Sequence, residues 1–168
     1  IAQTDLSKVP TLDYNRIDLV PYQNKLSMSN FSNNHYTNYL RIYSHKGCSN
    51  RLNSNGCVFC GRADSGVRFK NAEKYWNDIL HSVNEKKADY IFDVGDDLLY
   101  SPNILNNYLN SKPMNLEHYE MGVFGRANRV NENVAKILKE LNVVDVVIGF
   151  ETGDPDVMRL CKSEAKRS

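Results

Sequence analysis

Three of the four cysteines fall within one short stretch, Ser44 to Cys60 (SHKGCSNRLNSNGCVFC), at Cys48, Cys57 and Cys60 in a C-x8-C-x2-C spacing. Thiolates are soft ligands that suit zinc or iron–sulfur clusters, and three of them are one short of a closed four-ligand site. Residue types alone leave three outcomes open. His45 or the distant Cys161 completes a structural zinc; the fourth position stays open, as a catalytic metal requires; or Cys57 and Cys60 are small residues with no ligand. Four cysteines in 168 residues are too few for a disulfide-dense secreted domain. A C-x-x-C pair in a reducing compartment points to metal, cluster or redox work, so a cytoplasmic location is expected.

Those cysteines need elements to hold them. Tyr39–Ser44 is a β-prone run leading straight into the loop. After the loop, Asn71 offers an N-cap, and Ala72, Tyr75, Trp76, Ile79, Leu80 and Val83 form one apolar stripe at helical spacing, predicting a helix to about Lys86. Tyr90–Val94 reads as a second strand, closed by Gly95-Asp96-Asp97. Ser101-Pro102 starts a second helix with Ile104, Leu105, Tyr108 and Leu109 on its stripe. Tyr119–Phe124 is a third strand, closed by Gly125-Arg126. Asn131 or Asn133 opens a third helix, with Val134, Ile137, Leu138 and Leu141 inward. Val143–Phe150 is a fourth strand, ending in Glu151-Thr152-Gly153, and Asp154-Pro155 starts a fourth helix.

Near-continuous apolar strands predict burial on both faces and a parallel sheet. Alternating strands and helices predict right-handed βαβ units. In such folds function gathers at the carboxyl ends of the strands. The cysteine loop, Gly95-Asp96-Asp97, Gly125-Arg126 and Gly149-Phe150-Glu151 are therefore expected on one rim. Residues 1–38, polar and broken by Pro10 and Pro21, read as an extended lead-in with one short helix around Tyr14–Val20; residues 39–168 read as the α/β core.

Composition narrows the partners. A net charge of +1, from 21 basic and 20 acidic residues, provides no footprint for nucleic acid or an acidic membrane. No apolar run is long enough to span a bilayer, and the first ten residues lack the apolar segment of a signal peptide.

The run YSHKGCSNRLNSNGCVFC, followed by a capped helix, resembles the cluster loop of the radical S-adenosylmethionine (radical SAM) superfamily. Gly95-Asp96-Asp97 stands where that family has its Gly-Gly-Glu-type motif. VVIGFETGDPDVM resembles the IG-x-E-S/T-G segment of members with an upstream cobalamin-binding domain, and VPTLDYNRIDLVPY resembles their linker. The resemblance covers about residues 8–162. It implies a partial (β/α)6, TIM-barrel-like fold with about four units present. It also implies that Cys48, Cys57 and Cys60 hold three irons of a [4Fe-4S] cluster whose fourth iron binds S-adenosylmethionine. An electron would then release methionine and a 5′-deoxyadenosyl radical that abstracts hydrogen from a substrate. Phe59 would lie by the adenine, Gly95, Asp96 and Asp97 would receive the methionine ammonium, Arg126 would pair with its carboxylate, and Glu151 would bond the ribose hydroxyls. A flavodoxin or ferredoxin would supply electrons, and cobalamin would come from an upstream domain.

Each residue also has a plainer reading. Phe59 packs, Gly95-Asp96-Asp97 is a turn before a helix, Arg126 is a solvated surface arginine, and Glu151 is an acid favoured by a helix N-terminus. The chain departs from the family's common C-x3-C-x2-C loop by placing eight residues between the first two cysteines. The polar insert, Ser49–Gly56, can bulge outward without moving the three sulfurs. With four units and no initiator Met, the sequence is expected to be part of a longer protein. The alternative is a non-enzymatic α/β module with a structural zinc or no metal.

Overall fold

The computed structural model describes residues 5–20, 36–52, 56–62, 66–116 and 118–162. Most of the Ser- and Asn-rich run, the centre of the insert and the charged tail lie outside them. Ten elements follow in order: β1 (Tyr39–Ile42), β2 (His45–Lys46), β3 (Arg68–Phe69), α1 (Ala72–Leu80), β4 (Tyr90–Asp93), α2 (Pro102–Asn110), β5 (Glu120–Gly125), α3 (Glu132–Glu140), β6 (Val143–Ile148) and α4 (Pro155–Lys162). Strands β1, β4, β5 and β6 form one parallel sheet in that spatial order. The short β2 and β3 pair antiparallel beside it; the sequence reading contains neither.

The helices form where the caps predict. Asn71 accepts the amide of Lys74 (2.8 Å), and Asn131 accepts that of Val134 (3.0 Å), each satisfying an orphan donor of a first turn. Ser101 precedes Pro102 at the start of α2 without a side-chain cap bond. α1 widens into a π-helical turn, His81–Glu85, that keeps Val83 in the core, so the expected end near Lys86 holds. Leu80, expected on the stripe, is only half-buried.

One apolar core joins the sheet to its helices. Leu40, Ile42, Ile91, Met121 and Val123 meet Tyr75, Trp76 and Ile79 of α1, Leu105 and Tyr108 of α2, and Val134, Ile137 and Leu138 of α3. Tyr75 stacks on Tyr108 with centroids 4.1 Å apart. Polar tips find partners: Trp76 Nε1 donates to the Tyr108 carbonyl (2.8 Å) and Tyr108 Oη to that of Lys70 (2.8 Å), as buried amphipathic rings require.

Burial on both faces holds for β4, buried at all four positions, and fails for β6, whose residues alternate half-buried and exposed. No further strand covers the far side of β6 among the described residues, and α4 buries none of its own. Val144, Val146 and Ile148 are therefore exposed. A register shift between Met121 and Gly122 skips Val144, pairing Met121 with Val143 and Gly122 with Asp145. It turns Asp145 towards Tyr90, whose hydroxyl donates to it (3.0 Å). Bulges re-aim side chains in this way.

The described part of the lead-in holds two 3-10 turns, Leu6–Lys8 and Tyr14–Arg16, and the short helix expected around Tyr14–Val20 is only the second of these. It packs against the core: Leu6 is buried, Tyr14 donates to the Arg41 carbonyl (2.7 Å) and Thr11 to Asp78 (2.6 Å). Among the described residues no helix is long and apolar enough to cross a membrane.

Candidate metal and cofactor site

The site begins where β1 and β4 end. Val94 N donates to the Ile42 carbonyl (2.8 Å). The buried Asp93 carboxylate then accepts both Ser44 N and Gly95 N at 2.9 Å on one oxygen. His45 lies beneath the rim, 1% exposed, stacked on Phe69 (4.6 Å). Its Nε2 accepts the Asp97 amide (2.9 Å). Nδ1 therefore carries the proton and donates to Ser44 Oγ (2.8 Å). Burial pulls the imidazole below its ordinary pKa, against the opposing pull of Asp93, Asp96 and Asp97, which keeps it neutral. With both nitrogens engaged, His45 is scaffold rather than a metal ligand.

Cys48 opens a 3-10 turn, Ser49–Arg51, closed by Arg51 N on the Cys48 carbonyl (2.9 Å). The first residues of the insert are tied to the rim, while its centre lies outside the described residues. Ser49 Oγ donates to Asp97 Oδ2 (2.9 Å), and Asn50 Nδ2 reaches both Cys57 Sγ (3.2 Å) and the Lys162 carbonyl (2.6 Å). These polar side chains find buried or half-buried acceptors, and that satisfaction ties Ser49 and Asn50 to the rim. Cys57 and Cys60 are joined by a tight turn, Cys60 N on Cys57 O (3.0 Å), and Val58 N donates to Cys161 O (3.0 Å). All four cysteines are half-buried free thiols.

Asp97 is 1% exposed, and its Oδ1 has no partner among the described residues. Burial raises its pKa, opposed by Ser49, Arg126, Arg129 and His45. Burial likewise raises that of Cys48, opposed by the Asn50 amide and Arg126, while Asp97 and Asp96 push it further up. Cys48, Asp96, Asp97 and Arg126 thus share one electrostatic neighbourhood, as strand-end convergence predicts. Asp96 is paired with Arg62 (2.6 Å). Glu151 is paired with Lys162 Nζ (2.6 Å), which also donates to the Gly149 carbonyl (2.7 Å). Phe59 is 55% exposed, on the turn that meets the end of α4.

The sequence reading missed Asp93, Ser44, Ser49, Asn50 and Arg62, and considered His45 only as a ligand. Asp93 carried a legible signal: an acid closing an otherwise apolar buried strand needs a partner. The serine and asparagine carried none, since such residues are ordinary in loops.

The donor set fits an iron–sulfur cluster in type: three thiols on one loop, an amide donor on one sulfur, and a buried carboxylate oxygen lacking a donor beside them. Among the described residues no three histidine, cysteine or acidic side chains are gathered as a ready-made metal site. Ligation by all three thiols therefore requires the loop to draw in.

Comparison with protein-family models and with curated proteins finds no match. Among solved structures the chain is similar to the radical S-adenosylmethionine methyltransferase TsrM from Kitasatospora setae, a structure with cobalamin and a [4Fe-4S] cluster bound (TM-score 0.54, 14% identity). The likeness is one of fold. It covers 73% of this chain and 25% of that one, so the chain spans about a quarter of the neighbour's length.

Proposed function

We propose that residues 39–168 are part of a (β/α)6 radical SAM core, preceded by the lead-in 1–38, and that the chain binds a [4Fe-4S] cluster and S-adenosylmethionine. The observation that carries this reading is that Cys48, at the head of the three-cysteine loop, shares one electrostatic neighbourhood with Asp97 and Arg126, with Ser49 bonded to Asp97 beside it. The fold likeness to a radical SAM methyltransferase supports it.

In this reading Cys48, Cys57 and Cys60 ligate three irons. When bound, the cluster supplies the electron that splits S-adenosylmethionine into methionine and a 5′-deoxyadenosyl radical for hydrogen abstraction from a substrate. The chain's own residues bind and orient. Asp97 Oδ1 receives the methionine ammonium, a charge-assisted bond strengthened by burial, and the Gly95–Asp97 turn lines that end. Arg126 pairs with the methionine carboxylate through its planar fork. Asp96 and Glu151 exchange Arg62 and Lys162 for polar groups of the cofactor, Glu151 at the ribose, and Phe59 covers the adenine. Asn50 donates to Cys57 Sγ, easing the thiolate charge. A flavodoxin or ferredoxin is the proposed electron donor, an upstream domain the proposed source of cobalamin, and the cytoplasm the proposed location.

Anaerobic iron–sulfur reconstitution tests this. A brown protein absorbing near ~400 nm, with the colour lost in Cys57→Ala, is expected; a full cluster in that variant removes the ligand assignment. The contact of Val58 with Cys161 favours a second reading, a closed four-cysteine structural zinc site. A colourless protein with stoichiometric zinc selects it.

A further inference from the structure

His45 lies beneath the rim rather than on it, yet it holds the turn that carries Asp97. Its ring cannot turn freely. Phe69 stacks on one side, Ser44 Oγ fixes Nδ1, and Gly95 leaves no room, since a Cβ there would lie 2.4 Å from the ring's Cε1 and Nδ1. The ring is held with Nε2 aimed at Asp97 N (2.9 Å). Ser49 Oγ also holds Asp97 Oδ2 (2.9 Å), leaving Asp97 Oδ1, like Asp93 Oδ2, buried without a donor among the described residues. Asp97 is thus gripped by the residue three before Cys48 and the residue one after it.

We infer that His45 is a positioning residue for cofactor binding: through the Asp97 amide, and together with Ser49, it sets where Asp97 Oδ1 points relative to the cysteine loop. This rests on the radical SAM reading above. A cofactor held by both the cysteine loop and the Asp97 turn would depend on how Asp97 is presented to that loop, and misplacement would weaken its binding without removing any direct contact. His45 supplies that spacing as a neutral acceptor. Its role is geometric, so a different acceptor of similar reach replaces it.

The test compares His45→Leu, His45→Gln and Ser49→Ala with the unchanged chain after anaerobic reconstitution. It reads iron content and the S-adenosylmethionine concentration that perturbs the electron paramagnetic resonance signal of the reduced cluster. Losing one orienting buried hydrogen bond is expected to raise that concentration about tenfold in His45→Leu and Ser49→Ala, with iron content unchanged. His45→Gln, whose side-chain oxygen can accept the Asp97 amide, stays close to the unchanged chain. Cluster-loaded His45→Leu with an unshifted concentration dependence overturns the inference. If that variant fails to fold, Ser49→Ala decides alone, and an unshifted dependence there overturns it equally. An unchanged chain that takes up no iron overturns the radical SAM reading and this inference together, whereas normal loading with unshifted variants overturns the inference only.

Discussion

Lys70 Nζ lies 2.6 Å from Asp78 Oδ2, and both side chains are almost fully buried. Lys74 reaches the other oxygen of Asp78 (2.5 Å), where Thr11 also donates (2.6 Å), and the Lys70 ammonium sits 3.6 Å from the Tyr43 ring centroid. The lead-in, α1 and the segment entering α1 are tied together at this one carboxylate. Burial pushes the Asp78 pKa up, but hydrogen bonds from Lys70, Lys74 and Thr11 outweigh it and leave the carboxyl below its ordinary value. A group whose folded pKa is depressed contributes stability above its unfolded pKa and loses it as pH falls through the folded one. Urea midpoints are therefore expected to fall as pH drops below about 4. At pH 7, Asp78→Asn leaves two cations facing an amide and is expected to cost about 3–5 kcal/mol, measured by urea denaturation.

Gly122 makes room for Tyr90. A Cβ at this position would lie 2.0 Å from the Tyr90 hydroxyl and 2.7 Å from the Phe92 ring. Gly122→Ala is expected to destabilise by about 1–3 kcal/mol through overpacking. Tyr90→Phe removes the hydroxyl responsible for the closest clash, along with its bond to Asp145. The double variant should thus be more stable than the sum of the two single effects predicts, the signature of coupled neighbours. A double-mutant cycle by chemical denaturation checks this; strict additivity would remove the clash as the reason for the glycine.

Gly47, one residue before Cys48, has φ +91°, and a Cβ there would lie 1.9 Å from the Gly66 carbonyl oxygen. That close approach of two backbones anchors the cysteine loop to the β2–β3 pair. Gly47→Ala is expected to cost about 1–2 kcal/mol from the left-handed conformation alone, plus the clash, and to lower iron uptake after reconstitution. Gly61→Ala, where no described residue lies within 4 Å of the Cβ position, is the control and should change neither thermal stability nor iron content.

Much of the scaffold was legible because it depends on local periodicity. Asn71 and Asn131 cap the helices expected of them, and the stripe of Tyr75, Trp76 and Ile79 turned inward because helical spacing puts those residues on one side. The four parallel strands followed from apolar runs alternating with such helices. Strand β6 was misread because an edge strand and a central strand can share the same run of valines: exposure is set by neighbours, which composition does not report. The skipped Val144 was equally hidden, since a register shift depends on how β5 and β6 meet.

Sequence by itself determined which residues could serve as donors and their order: three thiols on the loop after the first strand, acids after the second, an arginine after the third. Strand polarity in a parallel sheet then sends all of them to one end. Only the tertiary structure decided what each side chain does there. It tied Ser49 and Asn50 to the rim, withdrew His45 from the ligand set by engaging both ring nitrogens, and paired Asp96 and Glu151 with Arg62 and Lys162 while leaving Asp97 Oδ1 without a donor among the described residues. The physical reason is that a hydrogen-bond partner is chosen by distance and burial between segments far apart in the chain, as with His45 and Asp97, and spacing along a sequence carries no record of that choice.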